Sequence, residues 1–357
     1  MLYRAIGVMS GSSLDGLDIV FVEFDESAGE WKYKIKAAAC YEYEAGWLKR
    51  LEHATGLDAY NYLLLHTAYG KYIGQKINRF IEENQLKEVQ LIATHGHTAF
   101  HSPENNMTAQ LGDGAAIAAT TGINTVSDLR ALDMAFGGQG APIVPMGEKW
   151  LLNGYQYFLN IGGIANISIN NESEYIAFDV CPANRVLNML ANDAGKKYDA
   201  GGEMAAKGSI NNDLLARLNA LDYYSLKYPK SLSNNFGTDT VYPLIKSFQL
   251  SHADALRTFV EHIAIQISKT IPVGNKEGKL LVTGGGVHNT FLVERIKAVL
   301  KSHKVEIVVP GKETIDYKEA LVMAFLGVLR IREENTVLNS VTGALKSSVG
   351  GAFWVAG

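Results

Sequence analysis

The sequence predicts an α/β protein of two domains. A glycine-bearing hairpin turn occurs early in each half, the first of them also rich in hydroxyls, and a late strand runs through three glycines into a helix. At 357 residues the chain exceeds what one compact core usually serves, so two domains are the default. Hydrophobic residues make up 47% and charged residues 20%, as in soluble globular proteins. The net charge is −4 with no basic block, which argues against nucleic acid or an anionic membrane as main partner. Met1-Leu2-Tyr3-Arg4 opens no signal-peptide pattern, and no apolar run approaches the roughly 18 residues that span a bilayer. Cys40 and Cys181 are too few for a disulfide framework or a thiolate metal site. A reducing cytoplasm is the expected setting.

The first hairpin pairs Ala5–Met9 with Ile19–Phe24. Between them, Ser10 to Asp18 offers backbone N–H groups and hydroxyls suited to a phosphate. Asp15 and Asp18 would repel a bare phosphate, so loop and carboxylates together point to a nucleotide with Mg²⁺. A tight hairpin with capping hydroxyls is the plain alternative. Trp31 to Tyr43 alternates as a third strand, and Leu57 to Asn84 has the three- and four-residue spacing of a helix. Val89 to Thr94 reads as a buried strand delivering His95-Gly96-His97-Thr98 at its carboxyl end, where α/β folds place ligand groups. His95, His97 and His101 lie close together without an adjacent acidic or thiolate ligand, which weakens a metal reading. Asp113 caps a short helix over Ala115 to Thr121. The strand Ile123 to Val126 then leads to Asp128, Arg130 and Asp133 beside a glycine-rich turn, which suggests a ligand-contacting junction and is equally compatible with an interdomain hinge held by an ion pair.

The second half repeats the pattern. Tyr155 to Leu159 leads through Asn160 to Asn166 into the strand Ile167–Ile169. Ala177-Phe178-Asp179 ends a strand on a carboxylate just before a helix from about Arg185 to Ala194. That is a place for a general base, or for a helix cap. Ala253 to Thr270 is helical, and Lys279–Thr283 runs into Gly284-Gly285-Gly286 and a helix over Thr290 to Leu300. Three glycines there let a planar or phosphorylated ligand approach the backbone. Val305 to Val309 is the last strand, and Ala320 to Ile331 is an apolar helix preceded by Asp316 and Glu319.

Two hairpin loops and a late glycine turn, taken together, resemble the superfold shared by actin, hexokinase and the heat-shock ATPases. Within it the sequence resembles the anhydro-N-acetylmuramic acid kinases. The matching segments are Gly7–Asp18; His95-Gly96-His97-Thr98 with His101 and Pro103; Asp128-Leu129-Arg130 with Asp133; Gly137–Pro142; Asn160–Asn166; Phe178-Asp179 with Pro182 and Asn184; and Gly284–Gly286 with Asn289. They span nearly the whole chain in the family's order.

The resemblance implies a two-domain actin-like ATPase (ribonuclease H-like) fold with its active site in the interdomain cleft. The domains are expected at 1–132 plus about 336–357, and at 133–335. It further implies a kinase using ATP and Mg²⁺ on 1,6-anhydro-N-acetylmuramic acid from peptidoglycan turnover. Water opens the 1,6-anhydro bridge and the freed 6-oxygen takes the γ-phosphoryl group. Asp179 matches the base. Gly11, Ser12, Ser13, Leu14, Asp15, Gly16, Leu17 and Asp18 match the first phosphate loop, with Asp15 reaching Mg²⁺ through water. Gly162 and Gly163 belong to the second loop, and Gly284, Gly285 and Gly286 to the adenosine side. His97, Asp128, Arg130 and Glu319 fall on the sugar side, and a homodimer is the common family state. The chain departs from the family pattern at Ser12 (usually Thr), at His97 (usually Gln), and at Val180 and Cys181 (usually Thr and Gly). Alternatives are a kinase for another anhydrosugar such as levoglucosan or for a hexose, or a non-catalytic sugar or nucleotide sensor.

Overall fold

The structure is a computed structural model, and residues 1–11, 14, 16–170, 175–228, 230–233, 235–273 and 277–357 are described. The chain forms two compact units, residues 1–153 with 317–357, and residues 154–316.

The first unit opens with a meander, β1 (Leu2–Ser10), β2 (Leu17–Ser27) and β3 (Glu30–Tyr41). Helix α1 (Ala59–Glu83) follows, its N-terminus capped where the Asp58 carboxylate accepts the Asn61 N–H. Next come β4 (Leu91–Ser102), β5 (Met107–Leu111), α2 (Gly114–Thr121) and β6 (Thr125–Ser127). Strand β4 runs parallel to β1, but the pairing shifts between Val8 and Ser10 and β4 continues as a hairpin with β5. His95 to Thr98 therefore lie inside β4 and not at its end.

The second unit repeats the order. β7 (Tyr157–Ile161), β8 (Ile164–Asn170) and β9 (Tyr175–Pro182) form an antiparallel meander, followed by α3 (Asn184–Asp193) and α4 (His252–Thr270). β10 (Gly278–Thr283), α5 (Thr290–Leu300) and β11 (Val305–Val308) complete it. The sheet runs β11-β10-β7-β8-β9, with β7–β10 and β10–β11 parallel.

Helix α6 (Lys312–Ile331) and β12 (Ala352–Trp354) then belong to the first unit from Tyr317 onward. That sheet runs β12-β6-β4-β1-β2-β3, with β5 on β4. Each unit thus contains three antiparallel strands followed by two parallel ones, and this doubling is the actin-like fold.

The division falls at 153/154 and 316/317, later than 132/133 and earlier than 335/336. The reason is packing. Alternation along β1 and β2 sends Ala5, Val20, Val22 and Phe24 to the face covered by α6, and Ile6, Val8, Ile19 and Phe21 to the face covered by α1. Helix α6 starts eight residues before the apolar stretch, so Asp316 and Glu319 are helical. Its backbone rests directly on β1: a Cβ at Gly7 would lie 1.9 Å from the Ala320 carbonyl oxygen. Among the described residues no helix is long and apolar enough to cross a membrane.

Gly7→Ala should destabilise the protein by about 3 kcal/mol, since neither backbone can yield without unseating α6. Gly46→Ala, at a helical site with nothing within 4 Å of the added carbon, should be neutral or stabilising by about 0.5–1 kcal/mol. Urea unfolding of the two variants checks both signs.

Candidate active site

In the second unit the structure brings the glycine turns together. At the β7–β8 turn the Gly162 N–H donates to the Ile164 carbonyl at 3.2 Å. The start of α3 docks on the turn: the Ala183 N–H donates to the Gly163 carbonyl at 2.8 Å and the Asn184 N–H to the Gly162 carbonyl at 3.0 Å. The Asn184 amide also donates to the Ile161 carbonyl at 3.1 Å. The late glycines pack on the same turn. Gly284 has φ +85°, and a Cβ there would lie 2.6 Å from Asn160 Oδ1; one at Gly286 would lie 2.2 Å from Ile161 Cγ2. Around Gly163 and Gly285 there is room: the nearest atoms to a Cβ are 3.7 and 3.9 Å away. A ligand can approach the backbone at those two positions.

Asp179 lies within β9, not at its end. Cys181 pairs with Ala165 and Asp179 with Asn166, so Val180 is an extra residue in a β-bulge. Helix α3 begins without a side-chain cap, which removes the capping alternative for Asp179. Its Oδ2 instead accepts the Leu232 N–H at 2.8 Å, and its carbonyl accepts the Tyr223 hydroxyl at 2.5 Å. Burial pushes its pKa above the ordinary aspartate value, and the Leu232 N–H offsets this only in part. A half-buried carboxylate so tuned suits a general base. Val180 and Cys181 are both buried in the hydrophobic core. Burial, reinforced by the Asp179 charge, pushes the Cys181 thiol up and leaves it unreactive.

The other sequence-predicted residues belong to the first unit. Ser12, Ser13 and Asp15 lie outside the described residues. Leu14 takes a left-handed φ of +56° and its N–H donates to the Gly11 carbonyl at 3.3 Å; Gly16 precedes Leu17 and Asp18, the first residues of β2. Ser10, immediately before the loop, joins Tyr43 at 2.7 Å, Tyr69 at 3.0 Å and His97 Nδ1 at 3.3 Å. Burial lowers the His97 pKa, so the ring is neutral at pH 7. Arg130 donates from Nε to His95 Nε2 at 2.8 Å and from its guanidinium to the Gly140 carbonyl at 3.1 Å. The accepting Nε2 leaves the His95 proton on Nδ1, which donates to the Gly96 carbonyl at 2.8 Å. Burial lowers Arg130 to about 10, opposed by the charge of Glu319 on α6. Asp128 has φ +55° and accepts the Ser127 hydroxyl at 2.6 Å. Arg130 and Glu319 are thus coupled, whereas His97 belongs to the Ser10 cluster. Among the described residues no three His, Cys, Asp or Glu side chains form a metal-binding group.

Sequence reasoning missed Ser10, Tyr43 and Tyr69 as a hydrogen-bonded cluster, and the supports that Tyr223 and Leu232 give Asp179. Tyr69 carries only a helix-stripe signal, and Leu232 acts through its backbone, which leaves no trace in residue type.

The family model described as anhydro-N-acetylmuramic acid kinase matches residues 3–356. The chain belongs to the anhydro-N-acetylmuramic acid kinase family. It is 33% identical to the anhydro-N-acetylmuramic acid kinase of Vibrio parahaemolyticus over 95% of each chain. It is 34% identical to that of Aliivibrio fischeri over 99% of each. Among solved structures, component A of the (R)-2-hydroxyglutaryl-CoA dehydratase of Acidaminococcus fermentans aligns with a TM-score of 0.46 and 15% identity, over 91% of this chain and 97% of that one.

In this family member the Arg130–His95 contact has a pH signature. Burial first, then the Arg130 charge, pushes His95 down to about 3. Between pH 6.5 and 3 the unfolded chain therefore binds a proton that the folded one does not, and stability falls as pH falls through that window. The slope from His95 should reach about 1.4 kcal/mol per pH unit. His95→Gln should flatten the dependence of urea stability on pH, leaving the contributions of His262, also lowered to about 3, and of His97 and His101, which burial lowers as well; an unchanged slope would refute the assignment.

Proposed function

We propose that the chain opens the 1,6-anhydro ring of 1,6-anhydro-N-acetylmuramic acid with water and phosphorylates the freed 6-oxygen from ATP, giving N-acetylmuramic acid 6-phosphate and ADP. The observation that carries this reading is Asp179: a half-buried carboxylate of raised pKa, held by one oxygen only, in the same sheet as two glycine turns with open space beside them.

Asp179 takes a proton from water as its oxygen bonds to the anomeric carbon. The bond from that carbon to the bridging oxygen breaks, and its electron pair stays on the 6-oxygen. That oxygen attacks the γ-phosphorus and the bond to ADP breaks. Beyond the base, catalysis is positioning and charge stabilisation. Gly11 to Asp18, with Gly162 and Gly163, would hold the phosphates, and Gly284 to Gly286 the adenosine. His97, Asp128, Arg130 and Glu319 would face the sugar, with Arg130 kept charged beside Glu319. Mg²⁺ accompanying ATP would be reached by Asp15 and would screen phosphate charge; such ions bind through phosphates, waters and one or two carboxylates, and so need no wholly protein-built cluster.

ADP release should appear with anhydro-N-acetylmuramic acid and be absent with N-acetylmuramic acid, which has no bridge to open. Equal release from both sugars would sink the ring-opening step, and a preference for levoglucosan would reassign the substrate. Asp179→Asn should lower kcat by about 10²- to 10⁴-fold and leave ATP binding intact. Because only the ionised base works, kcat should fall as pH drops through an acid limb lying above the usual carboxylate value of about 3.9.

A further inference from the structure

We infer that Asn166 positions the water that Asp179 deprotonates, as one member of a polar row across the second sheet. The inference rests on Asp179 being the base. Thr283 of β10 pairs with Asn160 of β7, Asn160 with Asn166 of β8, and Asn166 with Asp179 of β9. Residues in register on neighbouring strands share a face, so the four side chains form one row about 14 Å long. Its face is opposite the one that sends Leu159, Ile161, Ile167 and Phe178 into the core.

The bulge makes the row. Ala165 sits opposite Cys181, so a regular strand would place Val180 opposite Asn166 and turn Asp179 toward the core. Val180 as an extra residue brings Asp179 to Asn166 instead.

The row is also short of partners. The Thr283 hydroxyl is buried, and no group accepts from it or donates to it among the described residues. The Asn160 and Asn166 carboxamides likewise have no hydrogen bond there, and both are half-buried. Buried polar groups without partners mark places where water or ligand binds.

Cross-strand Cβ atoms lie about 5 Å apart, so a water about 2.8 Å from each side-chain oxygen can bridge Asn166 and Asp179. The Leu232 N–H holds Asp179 Oδ2 and leaves Oδ1 for that water. One water O–H then points to Asp179 Oδ1, the other to Asn166 Oδ1, and a lone pair remains for the anomeric carbon. The proton passes to Asp179 alone. Held by Asp179 only, the water could rotate out of line.

Asn166→Ala should lower kcat on anhydro-N-acetylmuramic acid by about 10- to 100-fold with the KM for ATP within about twofold. The acid limb of kcat should stay in place, since Asp179 keeps its surroundings. Asn166→Asp should move that limb to higher pH, because a like charge opposes ionisation of Asp179. A kcat within twofold of the parent, or a loss confined to the KM for ATP, would overturn the inference. Asn166→Ser repeats the measurement if the alanine variant does not fold, and failure of both to fold would overturn it by making the carboxamide structural. Loss of activity in Asp179→Asn alone sinks the role of Asn166 and spares the base, whereas an active Asp179→Asn sinks the base.

Discussion

Strand register is the constraint on which the second unit depends. Each strand sends alternate residues to opposite faces, so a shift of one residue exchanges core and solvent positions along a whole strand. The pairing of β7 with β8 and β10 sets Ile161 on the core side and Asn160 on the other. Register also brings Gly284 and Gly286 onto the backbone and side chain of Ile161, at separations that leave no room for a Cβ. The bulge at Val180 breaks the alternation at one position and returns the carboxylate of Asp179 to the polar face.

In the first unit the equivalent constraint is close approach. Both faces of the sheet are covered, so the centre of β2 from Ile19 to Val22 is an unbroken apolar run and Ala5, Ile6 and Val8 of β1 are all buried. Gly7 lets α6 lie on the strand itself, and Gly327 does the same against Ala93. The helix in turn delivers Lys318 to Glu148 at 2.9 Å, with both side chains buried. Such a pair offsets its own desolvation only while both partners are present. Arg130 meets its burial differently, by donating to a neutral histidine and a carbonyl under the influence of Glu319.

The hydroxyl cluster of Ser10, Tyr43 and Tyr69 illustrates how polar groups from distant segments are brought to one strand end. Tyr69 is fully buried and its pKa is raised well above the usual tyrosine value by desolvation, so its hydroxyl stays protonated and donates to Ser10. Ser10 is the last residue of β1, and its hydrogen bonds anchor the strand end from which the Gly11 to Gly16 loop departs.

Much of the fold was legible because its signals are local. Alternation and helical spacing located the strands and the long helices, and glycines marked the strand-to-strand turn at Gly162 and the strand-to-helix turn at Gly284. Asp179 was legible as a strand carboxylate near a helix start, although read at the strand's end and found within β9, and Arg130 as a charge beside a glycine-rich turn. Residue type and order by themselves determined the two hairpins, the late glycine turn and the family. Only the tertiary structure decided that α6 belongs to the first unit, that Arg130 is spent on His95, and that Asp179 faces Asn166. Those outcomes depend on register, on a bulge and on backbone donors such as the Leu232 N–H, which every residue carries and no sequence pattern distinguishes.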